Sequence, residues 1–248
     1  MSGILYGIGT GPGDPELMTL KAVRVMKECE VIALPVSNAE LLKEPLLERE
    51  NQEKTKELLE NSIAYQIACP NAPKIREKAI LYLPMPMCKD KALLKEIHNK
   101  NADKIMTLLQ QGKKIGFLTL GDPAIYSTYL YLHQRVVKSG LKAEIISGIP
   151  SFCACAARLN TGLVENKEQL HVIPASYGIE EALELPGTKV LMKTGKKMAQ
   201  VKAKVKQSGQ KLLMVENCGM EREKIYTSVD EVPDNSSYYS LMIIKEEG

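Results

Sequence analysis

The chain has 248 residues, 44% hydrophobic and 25% charged, which is enough apolar material for one large core or two smaller ones. Its formal net charge of +3 comes from dispersed lysines, Trp is absent and Phe occurs twice, so a nucleic-acid groove would lack both field and stacking platforms. No stretch reaches the roughly 18 to 20 apolar residues of a membrane span, and no charged leader or cleavage site opens the chain, so a cytoplasmic protein with no membrane partner is expected.

Six cysteines (Cys29, Cys69, Cys88, Cys153, Cys155, Cys218) are scattered, and the three histidines (His98, His133, His171) lie far apart. This is no metal-ligand or redox spacing, so no metal is expected and the cysteines read as reduced small hydrophobes. The mild basic excess remains compatible with a small polyanionic substrate.

In chain order, strands are predicted at 3–8 and 31–34, with a helix at 16–27 between them; then a helix at 91–111, a strand at 115–120, a helix at 125–138 and a strand at 143–146. Apolar runs bounded by Gly and Pro and separated by helices predict a parallel sheet with crossover helices, an α/β fold. Between Pro35 and Met87 the pattern loosens into EPLLERENQEKTKELLEN, read as helical, and the proline-punctuated CPNAPKIREKAILYLPMPM. Such an insertion forms a lid, an interface or a plain surface excursion. After SGIP (147–150), strands are expected at 170–173, 189–192, 212–215, 225–228 and 239–244, and a helix at 198–206. The last two strands have no helix between them, which predicts antiparallel pairing and a mixed α/β second domain. The domain boundary is set at 148, giving domains 1–148 and 149–248.

The strongest local signal is GIGTGPGDPELMTLKAVRVM, an apolar strand running into Gly7, Gly9, Gly11, Pro12 and Gly13, then Asp14-Pro15 as a cap and first helical position. The G-x-G-x-x-G spacing of a dinucleotide fingerprint fails, since Pro12 stands third after Gly9 and Asp14 third after Gly11; no GK[ST] follows. IGFLTLGDPAIYSTYLYLHQRV repeats the device, with Gly121 turning the chain and Asp122-Pro123 expected to open a helix. Ligands of open α/β sheets gather beyond the carboxyl ends of strands, where both GDP turns should face one crevice and helix N-termini can hold a carboxylate. The plainer alternative is that Asp14 and Asp122 are only helix caps.

The opening loop, LPMPM near residue 85, TLGDPAIYSTYLYL and SGIPSFCACAARLNTGLVE occur together in order. In these segments the chain resembles the tetrapyrrole (corrin/porphyrin) methylases, and within them the branch acting at C20 of precorrin-2 or cobalt-factor II. The resemblance continues more weakly through KVLMKTGKK and LMVENCGMEREKIY. It implies a two-domain homodimer in cobalamin biosynthesis, with S-adenosylmethionine folded into a cleft between domains and a tetrapyrrole as substrate. Carried over residue by residue, the cofactor contacts would be Pro12, Leu120, Gly121, Asp122, Ile125, Pro150, Ser151 and Met192, with the backbone near Asn217 and Cys218.

Gly9, Gly11, Tyr126, Arg135, Lys193 and Lys196 are candidates for the substrate, the basic ones for its carboxylates. Ser147 before Gly148, and Pro35 where uroporphyrinogen methyltransferases carry Asp, depart from relatives; the second argues against that neighbouring activity. Tyr126, His133 and Glu216 are candidates for a proton acceptor, yet none identifies itself, and no catalytic residue is named. The competing classes are a nicotinamide oxidoreductase, a non-enzymatic tetrapyrrole carrier, and a methylase of the same fold acting elsewhere on the ring.

Overall fold

The computed structural model describes residues 2–48, 55–174, 179–193 and 197–246. The chain divides into two compact units, Met1–Pro150 and Ser151–Gly248.

In the first unit, β1 (Ile4–Gly9), β2 (Val31–Val36), β3 (Leu46–Glu48), β4 (Ala79–Pro84), β5 (Lys114–Thr119) and β6 (Lys142–Ile146) form one sheet in the order β3-β4-β2-β5-β1-β6. All pairings are parallel except that of the edge strand β3 with β4. The central strands are apolar on both faces because helices cover both. On one face Ile8 and Ile32 pack with Ala22, Val25 and Met26 of α1 (Leu20–Glu28) and with α2 (Lys56–Glu60) and α3 (Ile63–Ala68). On the other, Leu5, Ile115 and Phe117 pack with α4 (Lys91–Gln110) and α5 (Tyr129–Lys138). Each such buried side chain contributes on the order of 1.5–3 kcal/mol.

The structure departs from the sequence reading at several places in this unit. The segment 36–87 is no surface excursion: its proline-punctuated part supplies β4, inside the sheet with Leu81, Tyr82 and Leu83 fully buried. The stretch read as helical begins with β3 instead; residues 49–54 lie outside the described ones, and α2 follows. Finally, neither Asp-Pro pair opens an α-helix. Pro15–Leu17 is one turn of 3-10 helix, and α1 starts at Leu20, capped by Thr19, whose Oγ accepts from Ala22 N at 3.1 Å. After Asp122 the chain makes turns through 128, and α5 starts at Tyr129.

In the second unit, after α6 (Ser151–Arg158), β7 (Leu170–Pro174), α7 (Ile179–Leu183), β8 (Thr188–Met192), α8 (Met198–Ser208), β9 (Lys211–Glu216), β10 (Lys224–Tyr226) and β11 (Ser240–Lys245) follow. The sheet order is β10-β9-β11-β8-β7, with β7 and β8 parallel and the other pairings antiparallel. The sheet is mixed, as expected, but β10 and β11 do not pair with each other; both flank β9. Met198, Val201 and Val205 of α8 pack on Leu191, Met214 and Met242. Among the described residues no helix is long and apolar enough to cross a membrane.

Candidate functional site

In the first unit, β1 and β5 are neighbours, yet the chain leaves them toward opposite faces, to α1 after β1 and to α5 after β5. Adjacent parallel strands with diverging connections leave a crevice at their carboxyl ends, the usual ligand position in an open α/β sheet. Gly9 ends β1 there, and Gly11 and Pro12 follow it; Leu120, Gly121, Asp122, Ile125 and Tyr126 follow β5; and Ser147 to Pro150 follow β6.

These turns are fastened to one another through the main chain. Gly11 N donates to Gly121 O (3.3 Å) and Gly121 N to Gly11 O (2.8 Å), an antiparallel bridge between loops more than a hundred residues apart. Gly11 and Gly121 have φ of +78° and +72°, values at which a side chain costs free energy. A Cβ on Gly9 would lie 2.5 Å from Gly121 O and 2.7 Å from Gly148 N. Three backbones therefore meet where no side chain fits.

Asp122, 8% exposed, joins the same knot: Oδ1 accepts from Ala124 N (2.7 Å) and Oδ2 from Gly148 N (3.0 Å). Its carboxylate thus holds two turns together, more than capping its own. Asp14 only caps, its Oδ1 accepting from Glu16 N at 2.8 Å. Thr10 and Thr19 complete the fastening, their hydroxyls donating to Thr119 O and Ser147 O, each at 3.2 Å.

Beyond the knot, Pro12 is buried, Leu120 and Ile125 are half-buried apolar groups, and Tyr126 is exposed. Tyr126 has φ +49°, a left-handed conformation that a bulky side chain rarely takes and that concentrates at functional sites. Ser127 braces the loop, its Oγ 3.0 Å from Thr119 Oγ and accepting from Tyr129 N at 3.2 Å. Arg135 lies apart from this group, in the last turn of α5. Its Nε donates to Asn99 Oδ1 (2.9 Å) and its Nη1 to Tyr131 O (2.8 Å), which ties α5 to α4. Burial first, and then Arg135, lower the pKa of His98 on α4.

In the second unit, β8 and β9 both run antiparallel to β11 and so end on the same side of the sheet. Met192 ends β8 and Lys193 follows it, while Asn217 and Cys218 follow β9. Lys193 (φ +63°) and Asn217 (φ +50°) are both left-handed. Lys193 N donates to Ser240 O (3.3 Å), and its amine stands 5.5 Å from the centre of the Tyr238 ring. Asn217 is held on three sides: its N donates to Tyr239 O (3.0 Å), its Nδ2 to Arg222 O (3.2 Å), and its Oδ1 accepts from Ser237 Oγ (3.1 Å). Lys196 lies outside the described residues.

Ser151 is the first residue of α6, one helical turn before Cys155. The Cys155 thiol hydrogen-bonds Cys218; that contact first, and burial second, raise its pKa well above the ordinary thiol range. A thiol so placed stays protonated and packs as a small apolar group.

Of the proton-acceptor candidates, Glu216 is engaged by Tyr226 Oη at 3.1 Å and by Ser237 N. His133 Nδ1 lies 3.1 Å from Tyr129 Oη, which itself donates to Glu144 O. Tyr126 is the candidate located at the strand ends of the first unit. The groups absent from the sequence expectation are those that hold the turns: Thr10, Thr19, Ser127, Gly148, Arg158 and Glu223. Except for Ser127, which bonds within its own loop, their partners lie far along the chain, so no local pattern marks them.

The model of the tetrapyrrole (corrin/porphyrin) methylases matches residues 4–233. The probable cobalt-precorrin-2 C(20)-methyltransferase of Methanocaldococcus jannaschii is 33% identical over 97% of this chain and 95% of its own length. The precorrin-2 C(20)-methyltransferase of a Sinorhizobium species is 27% identical over 98% of this chain and 97% of its own. The crystal structure of uroporphyrin-III C-methyltransferase from Thermus thermophilus, complexed with S-adenosylhomocysteine, shares the fold with a TM-score of 0.67 at 18% identity, covering 98% of each chain. With a family match over nearly its whole length and a relative 33% identical along it, this chain belongs to the tetrapyrrole methylases.

Proposed function

We propose that the protein transfers the methyl group of S-adenosylmethionine to C20 of a precorrin-2-type tetrapyrrole in cobalamin biosynthesis, with the cobalt complex as the preferred form. The observation that carries this is the 33% identity, across 97% of the chain, to a relative named for that reaction on cobalt-precorrin-2. Metal-free precorrin-2 is the second reading, supported by the Sinorhizobium relative at 27% identity.

The residues present fit such a cofactor. In the first unit its contacts are assigned to Pro12, Leu120, Gly121, Asp122, Ile125 and Pro150, where half-buried apolar side chains and closely packed main chain adjoin. In the second they are assigned to Ser151, Met192, Asn217 and Cys218.

When bound, the sulfonium cofactor supplies an electrophilic methyl to the electron-rich meso carbon: a C–C bond forms, the C–S bond breaks, and C20 loses a proton to solvent or a base. The chain's own task is placement and exclusion of water. Gly9 and Gly11 fix the turn on which the substrate is to be oriented, and Tyr126 projects from a loop whose conformation Ser127 holds. For the substrate's carboxylates, Lys193 is the candidate cation. Replacing Lys193 with Ala is expected to raise the tetrapyrrole KM about tenfold with the cofactor KM unchanged, the effect of one lost charge-assisted hydrogen bond. An unchanged tetrapyrrole KM removes Lys193 from the site. Arg135, engaged by Asn99 and Tyr131, is the weaker assignment.

The protein is taken to act as a homodimer in the cytoplasm; sedimentation and cell fractionation test both. The deciding experiment is anaerobic incubation with S-adenosylmethionine and either cobalt-factor II or precorrin-2, following S-adenosylhomocysteine and product mass. One added methyl on the cobalt form supports the primary reading, and turnover of the metal-free form alone selects the second. Failure of both with cofactor binding intact overturns the substrate.

A further inference from the structure

In the second unit, Asn217 and Cys218 sit on a loop, 217–223, whose own backbone has little reason to keep its shape. It contains two left-handed residues, Asn217 (φ +50°) and Gly219 (φ +71°), and its internal main-chain bonds are short turns, Met220 N to Asn217 O (2.9 Å) and Glu223 N to Met220 O (3.0 Å). A non-glycine residue in that region persists when its surroundings over-determine it.

Tyr239 and Ser237 hold the Asn217 end, and a further restraint comes from α6. Ser151, Cys155 and Arg158 are spaced i, i+4, i+7 and therefore share one helix face. Cys155 meets Cys218 at the near end of the loop. At the far end Arg158 grips Glu223 as a fork: Nε stands 2.9 and 3.2 Å from the two carboxylate oxygens and Nη2 2.5 Å from Oε1. Glu223 passes the restraint inward, because its Oε2 also accepts from Gly219 N at 2.7 Å. An ordinary surface ion pair contributes little, but a two-pronged guanidinium–carboxylate pair fixes direction as well as distance. Here the carboxylate side is 15% exposed while the arginine is 55% exposed, so the loop's anchor is the covered partner.

We infer that Arg158 and Glu223 are positioning residues for cofactor binding: they fix loop 217–223 against the face of α6 that begins with Ser151. The inference rests on the assignment of Ser151, Asn217 and Cys218 to the cofactor. Neither Arg158 nor Glu223 touches ligand. Their effect is to set the position of the Asn217–Cys218 backbone relative to the face of α6 that Ser151 and Cys155 share. Loss of the fork frees the far end of the loop and leaves the sheet intact.

The test is calorimetric titration of S-adenosylhomocysteine into the full chain and into Arg158→Met, Arg158→Lys and Glu223→Gln, with steady-state kinetics and thermal melts on each. Arg158→Met is expected to weaken binding about tenfold, the scale of one charged hydrogen bond. Arg158→Lys, which keeps a charge but loses the fork, falls between. The cofactor KM rises while the tetrapyrrole KM and the kcat at saturating cofactor stay at the wild-type values, a split that mere loss of stability does not produce. If Arg158→Met does not fold, Glu223→Gln carries the test, since its amide oxygen still accepts from Gly219 N. Equal affinity of the folded variants and the wild type overturns the inference, as does a parallel rise in both KM values. A wild-type chain that fails to bind S-adenosylhomocysteine overturns the cofactor assignment itself, a different result from tight binding that the variants do not alter.

Discussion

At the strand ends of the first unit, main chain packs directly on main chain, with Asp122 as its side-chain clasp: Gly11 and Gly121 exchange hydrogen bonds, and Gly9, Gly121 and Gly148 pack too closely for a side chain. At the strand ends of the second unit, side chains do the holding, with Glu216, Asn217 and Glu223 each gripping neighbouring backbone. A fastening made of backbone is fixed by steric exclusion and tolerates almost no added atom. One made of carboxylates and amides is adjustable, and it responds to substitution and pH in graded steps.

The largest effect expected from that contrast is at Gly148. A Cβ there would stand 2.2 Å from Gly121 O and 2.9 Å from Gly9 Cα, both backbone atoms that cannot swing aside. Gly148→Ala should destabilise the fold by about 3 kcal/mol or more and abolish S-adenosylhomocysteine binding. A urea midpoint equal to the wild type's would mean that the knot yields easily, and the comparison would lose its basis.

Next comes Asp122→Asn. Both carboxylate oxygens accept from backbone N–H groups, and an amide must turn its own donor toward one of them. Leaving a buried N–H without an acceptor costs on the order of 1–3 kcal/mol, which equilibrium unfolding would read directly. A neutral result would show that Gly148 N finds another acceptor.

The smallest effect belongs to the second unit and concerns acid. The Arg158 guanidinium first, with the Gly219 N–H bond also contributing, holds the Glu223 carboxyl below its ordinary range. A carboxyl with a depressed folded pKa stabilises fully above its unfolded value, and the contribution is lost as pH falls through the lower folded one. Stability should therefore decline across that acidic window, by less than about 1 kcal/mol for this partly exposed pair, and Glu223→Gln should remove that part of the slope. Identical pH profiles for wild type and variant would show that the fork contributes nothing to folding.

The α/β character was legible because strands buried on both faces are apolar runs, and those of β1, β2 and β5 stand out between helical stretches. The strand β4 was not, because prolines crowd its end; Pro84 closes the strand, where a missing donor costs little. The three-residue β3 is too short for any period to register. Asp14 and Asp122 carried a helix-start signature that the chain satisfies locally, with the carboxylate bonding backbone two residues on, which competes with helix formation.

The glycine turns of the site could be read in order, but not their mutual contact. The pairs Thr19–Ser147 and Arg158–Glu223 are separated by 128 and 65 residues, and nothing local in either partner announces the other. The charge of Arg135 was legible in the sequence, and its partner Asn99, on another helix, was not.

The place of β11 in the second sheet bears on how this protein emerges from the ribosome. Residues 240–245 pair with β8 on one side and β9 on the other, so those strands have no direct ladder between them. Until that segment is synthesised, the nascent second unit exposes two unpaired strand edges and the apolar surface of Leu191, Met214 and Val215, a hazard for aggregation. The first unit, whose sheet needs nothing beyond Ile146, can fold while the ribosome is still translating the second.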